Sequence, residues 1–295
     1  MNALHVSVRN GEQLAALKDC HALPERIYLE STCVLLPDGT DIRPRAQLDG
    51  PADVPVYLAL PFVTRHEAGT PDLRDLETVV RKARGAGYDG LLVRNMEQIG
   101  FLSEQASPPP AVSDYGVYVW NPESRSELCD GAGKTHFLAE YSLPYELSLT
   151  EQIATAAGIG TDTACGICVY GRIPMMVSAE CVRMNTEGCS HHRGTLAEEQ
   201  VSLTDRTGRT LPVTCVCRYC YNVIRNAYPL SLHKALSRIA DRLPQAACRV
   251  DLTTENGQET CETVSFFAKV LRTGYDGETP PYPDYTGGRS GKGVD

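Results

Sequence analysis

Short apolar runs alternate with helix-spaced patterns through the first half of the chain. His5-Val-Ser-Val8 predicts a strand, and Gly11 to Asp19 places Leu14 and Leu17 on one helical face. Arg26 to Glu30 (RIYLE) and Val56 to Leu60 (VYLAL) predict the next two strands. Thr70 and Pro71 supply an N-cap and a first-turn proline for a helix with Leu73, Leu76, Val79 and Val80 on one side, ending at Gly85 and Gly87. Gly90 to Val93 (GLLV) is apolar without interruption, as expected of a strand covered on both faces.

The alternation resumes after the stiff connector Ser107-Pro108-Pro109-Pro110. Tyr115 to Trp120, His136 to Tyr141 and Ile167 to Tyr170 are predicted strands, and Ser148-Leu-Thr-Glu151 is a capping box for a helix that Gly158 closes. Ser231 is expected to cap a helix to Leu243, Arg249 to Thr253 to form a short strand, and Thr260 to Leu271 a last helix. Strands separated by helix-length crossovers imply a parallel sheet, and about eight such units close into a barrel. The expected fold is an α/β, TIM-barrel-like (β/α) domain with a Cys-rich, loop-rich cap or insertion. The expected division is a barrel part over 1–177, a Cys-rich segment over 178–226, a closing helix-strand-helix over 227–272 and a tail over 273–295.

At 295 residues, with 42% hydrophobic and 22% charged, the chain is in the globular range and buries a core without disulfide staples. No apolar run approaches the ~18 residues of a membrane helix, so no membrane span is expected. Met1 to Asn10 has polar residues where an export signal would place its apolar stretch, so a cytoplasmic, reducing location is expected. The 12 cysteines then need another role. Cys20, Cys33, Cys129, Cys248 and Cys261 are scattered and read as packing, whereas seven crowd between Cys165 and Cys220.

Two apparent motifs fail on chemistry. Gly131-Ala-Gly-Lys-Thr135 resembles the end of a phosphate loop, but Leu128 stands where the first glycine is needed. Cys165-Gly-Ile-Cys168 has redox spacing, yet residues three apart on a strand point to opposite faces. Cys181, Cys189, Cys217 and Cys220 are the better constellation. The turn-like pair Cys217-Arg-Tyr-Cys220 and the loop pair Cys181 and Cys189 bring four thiolates, which suit zinc or an iron-sulfur cluster. Only one CxxC knuckle is clear where a zinc ribbon has two, which favours a cluster, with Cys165 and Cys168 in reserve as alternative ligands. Cys215 can replace Cys217, and His191 and His192 can compete as ligands.

The stretch Val169-Tyr-Gly-Arg-Ile-Pro-Met-Met-Val-Ser-Ala-Glu-Cys181, with Asn185-Thr186, Cys189, Leu203-Thr-Asp-Arg206, Leu211-Pro-Val213 and Cys217-Arg-Tyr-Cys-Tyr-Asn-Val-Ile-Arg-Asn-Ala-Tyr-Pro-Leu-Ser-Leu232, resembles the collagenase-like (U32) peptidase family. Asp114-Tyr-Gly-Val-Tyr-Val-Trp-Asn121, Pro144-Tyr-Glu-Leu147 and Gly87-Tyr-Asp-Gly-Leu-Leu-Val-Arg-Asn95 resemble its barrel segments. The resemblance implies a barrel-like fold and an oxygen-sensitive 4Fe-4S cluster held by Cys181, Cys189, Cys217 and Cys220. In some branches a ligand cysteine stands where this chain has Pro174. Some relatives are named as collagenase-like proteases. Others serve oxygen-independent hydroxylation of ribosomal RNA, transfer RNA or ubiquinone precursors, with prephenate implicated in the RNA reactions.

Barrel chemistry belongs to the carboxyl ends of the strands. There the polar residues Glu30, Arg94, Asn95, Asn121, Glu146 and Arg172 follow predicted strands. Glu146, Asn121 and Asn95 are the expected catalytic or orienting groups, and Arg172 and Arg206 the expected forks for a carboxylate or phosphate. A net charge of -9 opposes nucleic-acid binding, but residues 183–225 hold six arginines against four acids, with Tyr219, Tyr221 and Tyr228 in or beside them. The expected function is an iron-sulfur enzyme or subunit in hydroxylation-type modification. Its expected partners are RNA or a small anionic aromatic substrate such as prephenate, and a protein partner. The alternatives are a peptidase, for which neither an H-E-x-x-H nor a G-x-S-x-G motif is present, and a non-catalytic scaffold with structural zinc.

Overall fold

A computed structural model describes residues 2–36, 41–64, 76–130, 138–160, 164–189 and 198–288. Seven parallel strands come first: β1 (Leu4–Val8), β2 (Arg26–Glu30), β3 (Val56–Ala59), β4 (Gly90–Val93), β5 (Ala111–Ser113), β6 (Leu138–Ser142) and β7 (Ala164–Gly171). Each pairs with the next. The chain then makes a separate antiparallel sheet of β8 (Pro174–Ser178), β9 (Glu199–Thr204), β10 (Thr210–Val216) and β11 (Tyr221–Arg225), in the order β8-β11-β10-β9. It returns through β12 (Leu230–Ser231), which adds antiparallel to β7, and ends in β13 (Ala247–Asp251), which lies parallel between β7 and β1. The ring β1 to β7 plus β13 is a closed eight-stranded parallel barrel, the expected fold.

The helices α1 (Gly11–Ala16), α2 (Leu76–Gly85), α3 (Met96–Ser103), α4 (Pro122–Asp130) and α5 (Leu149–Ile159) punctuate the first seven strands, and α6 (Val182–Glu187) lies in the cap. α7 (Leu236–Arg242) and α8 (Gly257–Thr273) flank β13, and α8 packs on α1 across the closing seam. Their starts follow cap chemistry. Asn10 and Asn95 accept from the backbone N–H three residues on, and Ser148 and Asn256 form full capping boxes with Glu151 and Glu259.

Alternation along the strands sorts the side chains into two layers. Val6, Ile27, Leu29, Leu58, Val93, Ile167 and Val250 join the outer core beneath the helices. The inward positions are unusually polar for a barrel of this type, whose interior is normally branched aliphatic. Tyr28, Tyr57, Leu92 and Val112 form a small apolar layer, beside which Arg26 pairs with Glu140 at 2.8 Å and His5 lies 3.6 Å from the same carboxylate. Gly90 leaves the space that the Tyr57 ring fills, since a Cβ there would lie 2.5 Å from it.

Several expectations change. The strand expected over Tyr115 to Trp120 is instead the three-residue β5, because the Asp114 side chain accepts from Tyr115 N at 2.9 Å and turns the chain into a helical turn ending at left-handed Tyr118. Ser231 caps no helix. It pairs with Tyr170 in β7, and its hydroxyl meets His233 Nδ1 and the Tyr282 hydroxyl, both at 2.7 Å. The α5 helix runs past Gly158 and ends at Gly160, whose φ of 89° suits glycine. The Cys-rich insertion, expected to be loop-rich, is organised by the four-stranded sheet. Thr70, Pro71, Gly131 to Thr135, His136, His191 and His192 lie outside the described residues.

Candidate active site

The cap sheet sits over the carboxyl ends of the barrel strands. Val216, Tyr219, Tyr221 and Val223 make a second apolar cluster, against which Phe62 and Val63 from the loop after β3 pack. Phe62 N donates to the Tyr221 hydroxyl at 3.2 Å, and the Tyr145 hydroxyl donates to Pro174 O at 3.2 Å. Glu198, just before β9, accepts from Arg9 Nη2 at 2.7 Å and from the Thr32 hydroxyl at 2.6 Å.

Beneath this cap a chain of buried ion pairs crosses the barrel mouth. Glu30, at the end of β2, accepts from Arg9 Nη1 at 3.0 Å and from both terminal nitrogens of Arg94 at 2.9 and 2.7 Å. Arg94 continues through Nε to Asp114 Oδ2 at 3.0 Å. Arg249 reaches Asp114 Oδ1 at 2.8 Å and Asp251 Oδ2 at 3.1 Å. Such forks fix both partners' orientation. Two arginines hold the Glu30 carboxyl down at about 2, even though burial alone would raise it. Asp251 goes the other way, because burial outweighs Arg249 and Asp114 adds like charge. Cys168 Sγ lies 3.9 Å from Asp251 Oδ2. Burial and Asp251 push the Cys168 thiol well above the usual range.

Arg225 differs from its neighbours. It is 4% exposed, comes from the cap strand β11, and donates to the Thr214 hydroxyl at 2.9 Å. Among the described residues it has no carboxylate partner. Burial and the nearby Arg9 lower its pKa to about 10. It borders a cavity of about 30 Å³ together with Arg172, Tyr115, Tyr145, Cys168 and Asp251.

Of the residues singled out in the sequence, Arg172 borders this cavity. Its Nε donates to the Thr254 hydroxyl at 3.1 Å, and Nη1 donates to the carbonyls of Asn226 and Ala227. Glu146 lies on the rim beside Tyr118, whose phenol is raised by burial and by that carboxylate. Tyr118 in turn stacks on Trp120 at 6.0 Å, and both rings are exposed. Asn95 caps α3 and donates to Phe62 O at 3.1 Å, while Asn121 accepts from Ser124 N at 2.8 Å at the start of α4. Neither asparagine borders the cavity. Arg206 is exposed in the tight turn between β9 and β10. Sequence reading missed Arg9, Asp114, Arg225, Arg249 and Asp251 as site residues. The one signal was the pair of charges at alternate positions inside the apolar run Ala247–Asp251.

Cys181, Cys189, Cys217 and Cys220 are half-buried, and Cys215 is buried. Cys181 precedes α6, and Cys189 follows Gly188 at its other end. Cys217 and Cys220 make the turn between β10 and β11, where Cys220 N donates to Cys217 O at 3.4 Å and Cys220 has a φ of 50°. Burial pushes the Cys217 thiol up to about 11, with Glu199, Cys181 and Cys189 adding negative charge. Cys215 is pushed to about 12 by burial, Cys181 and Cys217. Among the described residues, no three His, Cys, Asp or Glu side chains converge as ligands of one metal ion.

No family model matches the chain, and no curated protein matches it. The solved structures that resemble it include two of different kinds. A U32 peptidase is 15% identical and matches over 58% of this chain and 70% of its own, with a TM-score of 0.39. A class V chitinase from Nicotiana tobaccum is 10% identical and matches over 93% of this chain and 100% of its own, with a TM-score of 0.43.

Proposed function

We propose that the chain is a barrel enzyme, or enzyme subunit, of the collagenase-like peptidase type that carries a 4Fe-4S cluster in its cap and serves an oxygen-independent, hydroxylation-type modification of an RNA base or a small aromatic compound. The observation that carries this reading is the placing of the cysteine-bearing sheet directly over the charged barrel mouth. Arg225 at the mouth is five residues beyond Cys220 in the same hairpin.

Cys181, Cys189, Cys217 and Cys220 would hold the cluster, which supplies one-electron transfer when bound. A 4Fe-4S centre takes one thiolate per iron, so its ligands surround a cube rather than meet at one atom. Cys181 and Cys189 stand at opposite ends of the six-residue helix α6, and the β10–β11 turn brings Cys217 and Cys220. Arg172 orients an anionic group at the cavity, and the stacked Tyr118 and Trp120 offer a platform for an aromatic ring. Asn121 and Glu146 support the loops around that platform, and Asn95 ties the loop after β3 to the start of α3.

Mass spectrometry of nucleosides and quinone precursors from cells lacking the protein tests the reading. Loss of one hydroxylated species, restored by the wild-type gene and not by Cys181→Ala, is the expected result. An unchanged profile together with peptide cleavage by the purified chain would refute it in favour of a peptidase.

A further inference from the structure

The barrel closes where β13 meets β1, and the helices that follow those strands, α8 and α1, pack on each other over this seam. Their contacts run in register. Gln13 Nε2 donates to Glu255 O at 2.8 Å, Gly257 N donates to Glu12 Oε1 at 2.7 Å, and a Cβ on Gly257 would stand 3.6 Å from Ala16 Cβ. A glycine facing an alanine lets the two backbones come close. One turn beyond that pair on each side stand Cys20, which ends the helical turn Leu17–Asp19 after α1, and Cys261 in α8. Their thiols hydrogen-bond one another, and Cys20 Sγ also meets Ala16 O at 3.5 Å. Both residues are half-buried, so a small oxidant reaches them from solvent. Cys165 and Cys248 also sense each other's charge, but both are buried in the barrel wall.

We propose that Cys20 and Cys261 form an oxidation site, a reversible disulfide that clasps the first helix to the last across the closing seam. The oxidant is hydrogen peroxide. The Cys261 thiolate attacks one peroxide oxygen, the O–O bond breaks, and the departing hydroxide takes up the proton the thiol gave, leaving a sulfenic acid and water. Cys20 then attacks that sulfur, so that the S–S bond forms, the S–O bond breaks and the second hydroxide leaves as water with the Cys20 proton. Two thiols and one peroxide thus give one disulfide and two waters. Burial and the bond to Cys261 push the Cys20 thiol up, which suits it to the second step. In a reducing compartment a bond of this kind forms only transiently, as a sensor does. The site is separate from the cap cysteines and does not depend on a cluster there.

Peptide mass spectrometry of the full chain, reduced and then treated anaerobically with a small excess of hydrogen peroxide, tests this, with free thiols alkylated before digestion. The expected product is a linked peptide joining Cys20 to Cys261, two hydrogens lighter than its parts and separated again by dithiothreitol. Because the bond joins helices from the two ends of the chain, peroxide should raise the melting temperature of the wild type by roughly 5 °C or more over any change it causes in Cys20→Ser. Cys261→Ser should behave as Cys20→Ser does, and the comparison removes effects of oxidation in the cap. Both cysteines left free or carried on to sulfinic acids, either one linked instead to a different cysteine, or a linked peptide with no added melting temperature overturns the proposal.

Discussion

Replacing Glu30 by glutamine probes the mouth network at its most loaded point. The carboxylate is 7% exposed, so water screens it little, and it accepts three guanidinium hydrogen bonds of 2.7 to 3.0 Å. Glutamine keeps the shape but turns an NH₂ towards two arginines. A carboxyl held at about 2 instead of 4.5 corresponds to roughly 3 kcal/mol of preferential binding of the ionised form. Removing one partner of a buried pair costs about 3–5 kcal/mol by the same logic. We therefore expect Glu30→Gln to lose roughly 3 kcal/mol at pH 7. The sign with pH follows from the depressed folded value: the contribution is complete above the unfolded pKa and is lost as pH falls towards the folded one. Between pH 7 and pH 3 the wild type should lose about 2 kcal/mol through this group, and the variant none of it. Urea unfolding at pH 7, 5 and 3 measures this as a gap between the two proteins that closes to about 1 kcal/mol. A gap of constant size, or one below about 1 kcal/mol at pH 7, would refute the reasoning.

Three further outcomes follow from particular contacts. Gly171 has a φ of 144°, and a Cβ there would stand 2.6 Å from Asp251 O, so Gly171→Ala should cost about 2 kcal/mol or more in thermal unfolding and disturb the β7–β13 pairing at the mouth. Asn95→Ala and Asn121→Ala should each cost about 1 kcal/mol of stability through lost capping; a large fall in turnover with unchanged stability would show that they act on substrate instead. Cys168 should resist iodoacetamide at pH 8 in the native protein, labelling more than about a hundredfold slower than free cysteine, because its thiol is held protonated; rapid labelling would contradict the buried pairing with Asp251.

The barrel was legible where local pattern and tertiary role agree. β2 and β4 coincide with RIYLE and GLLV, and the capping box at Ser148 starts α5. It was illegible where a side chain redirects the backbone, as Asp114 does after three residues of β5. Asn95, which follows a strand as an expected orienting group, also starts α3, a helix that the hydrophobic pattern does not announce. The site was harder still, because its ion pairs join strands remote in sequence. Arg249 and Asp114 are 135 residues apart, and no local spacing announces their pairing. Arg225 stood in the count of cap arginines, but its burial without an acid is a property of the folded mouth.

Metal and sulfide analysis of the chain purified without oxygen bears most directly on the cluster at the centre of this account. About four iron and four sulfide per chain are predicted, falling steeply in Cys181→Ala and Cys220→Ala. Stoichiometric zinc without iron, or iron content unchanged in both variants, would contradict it.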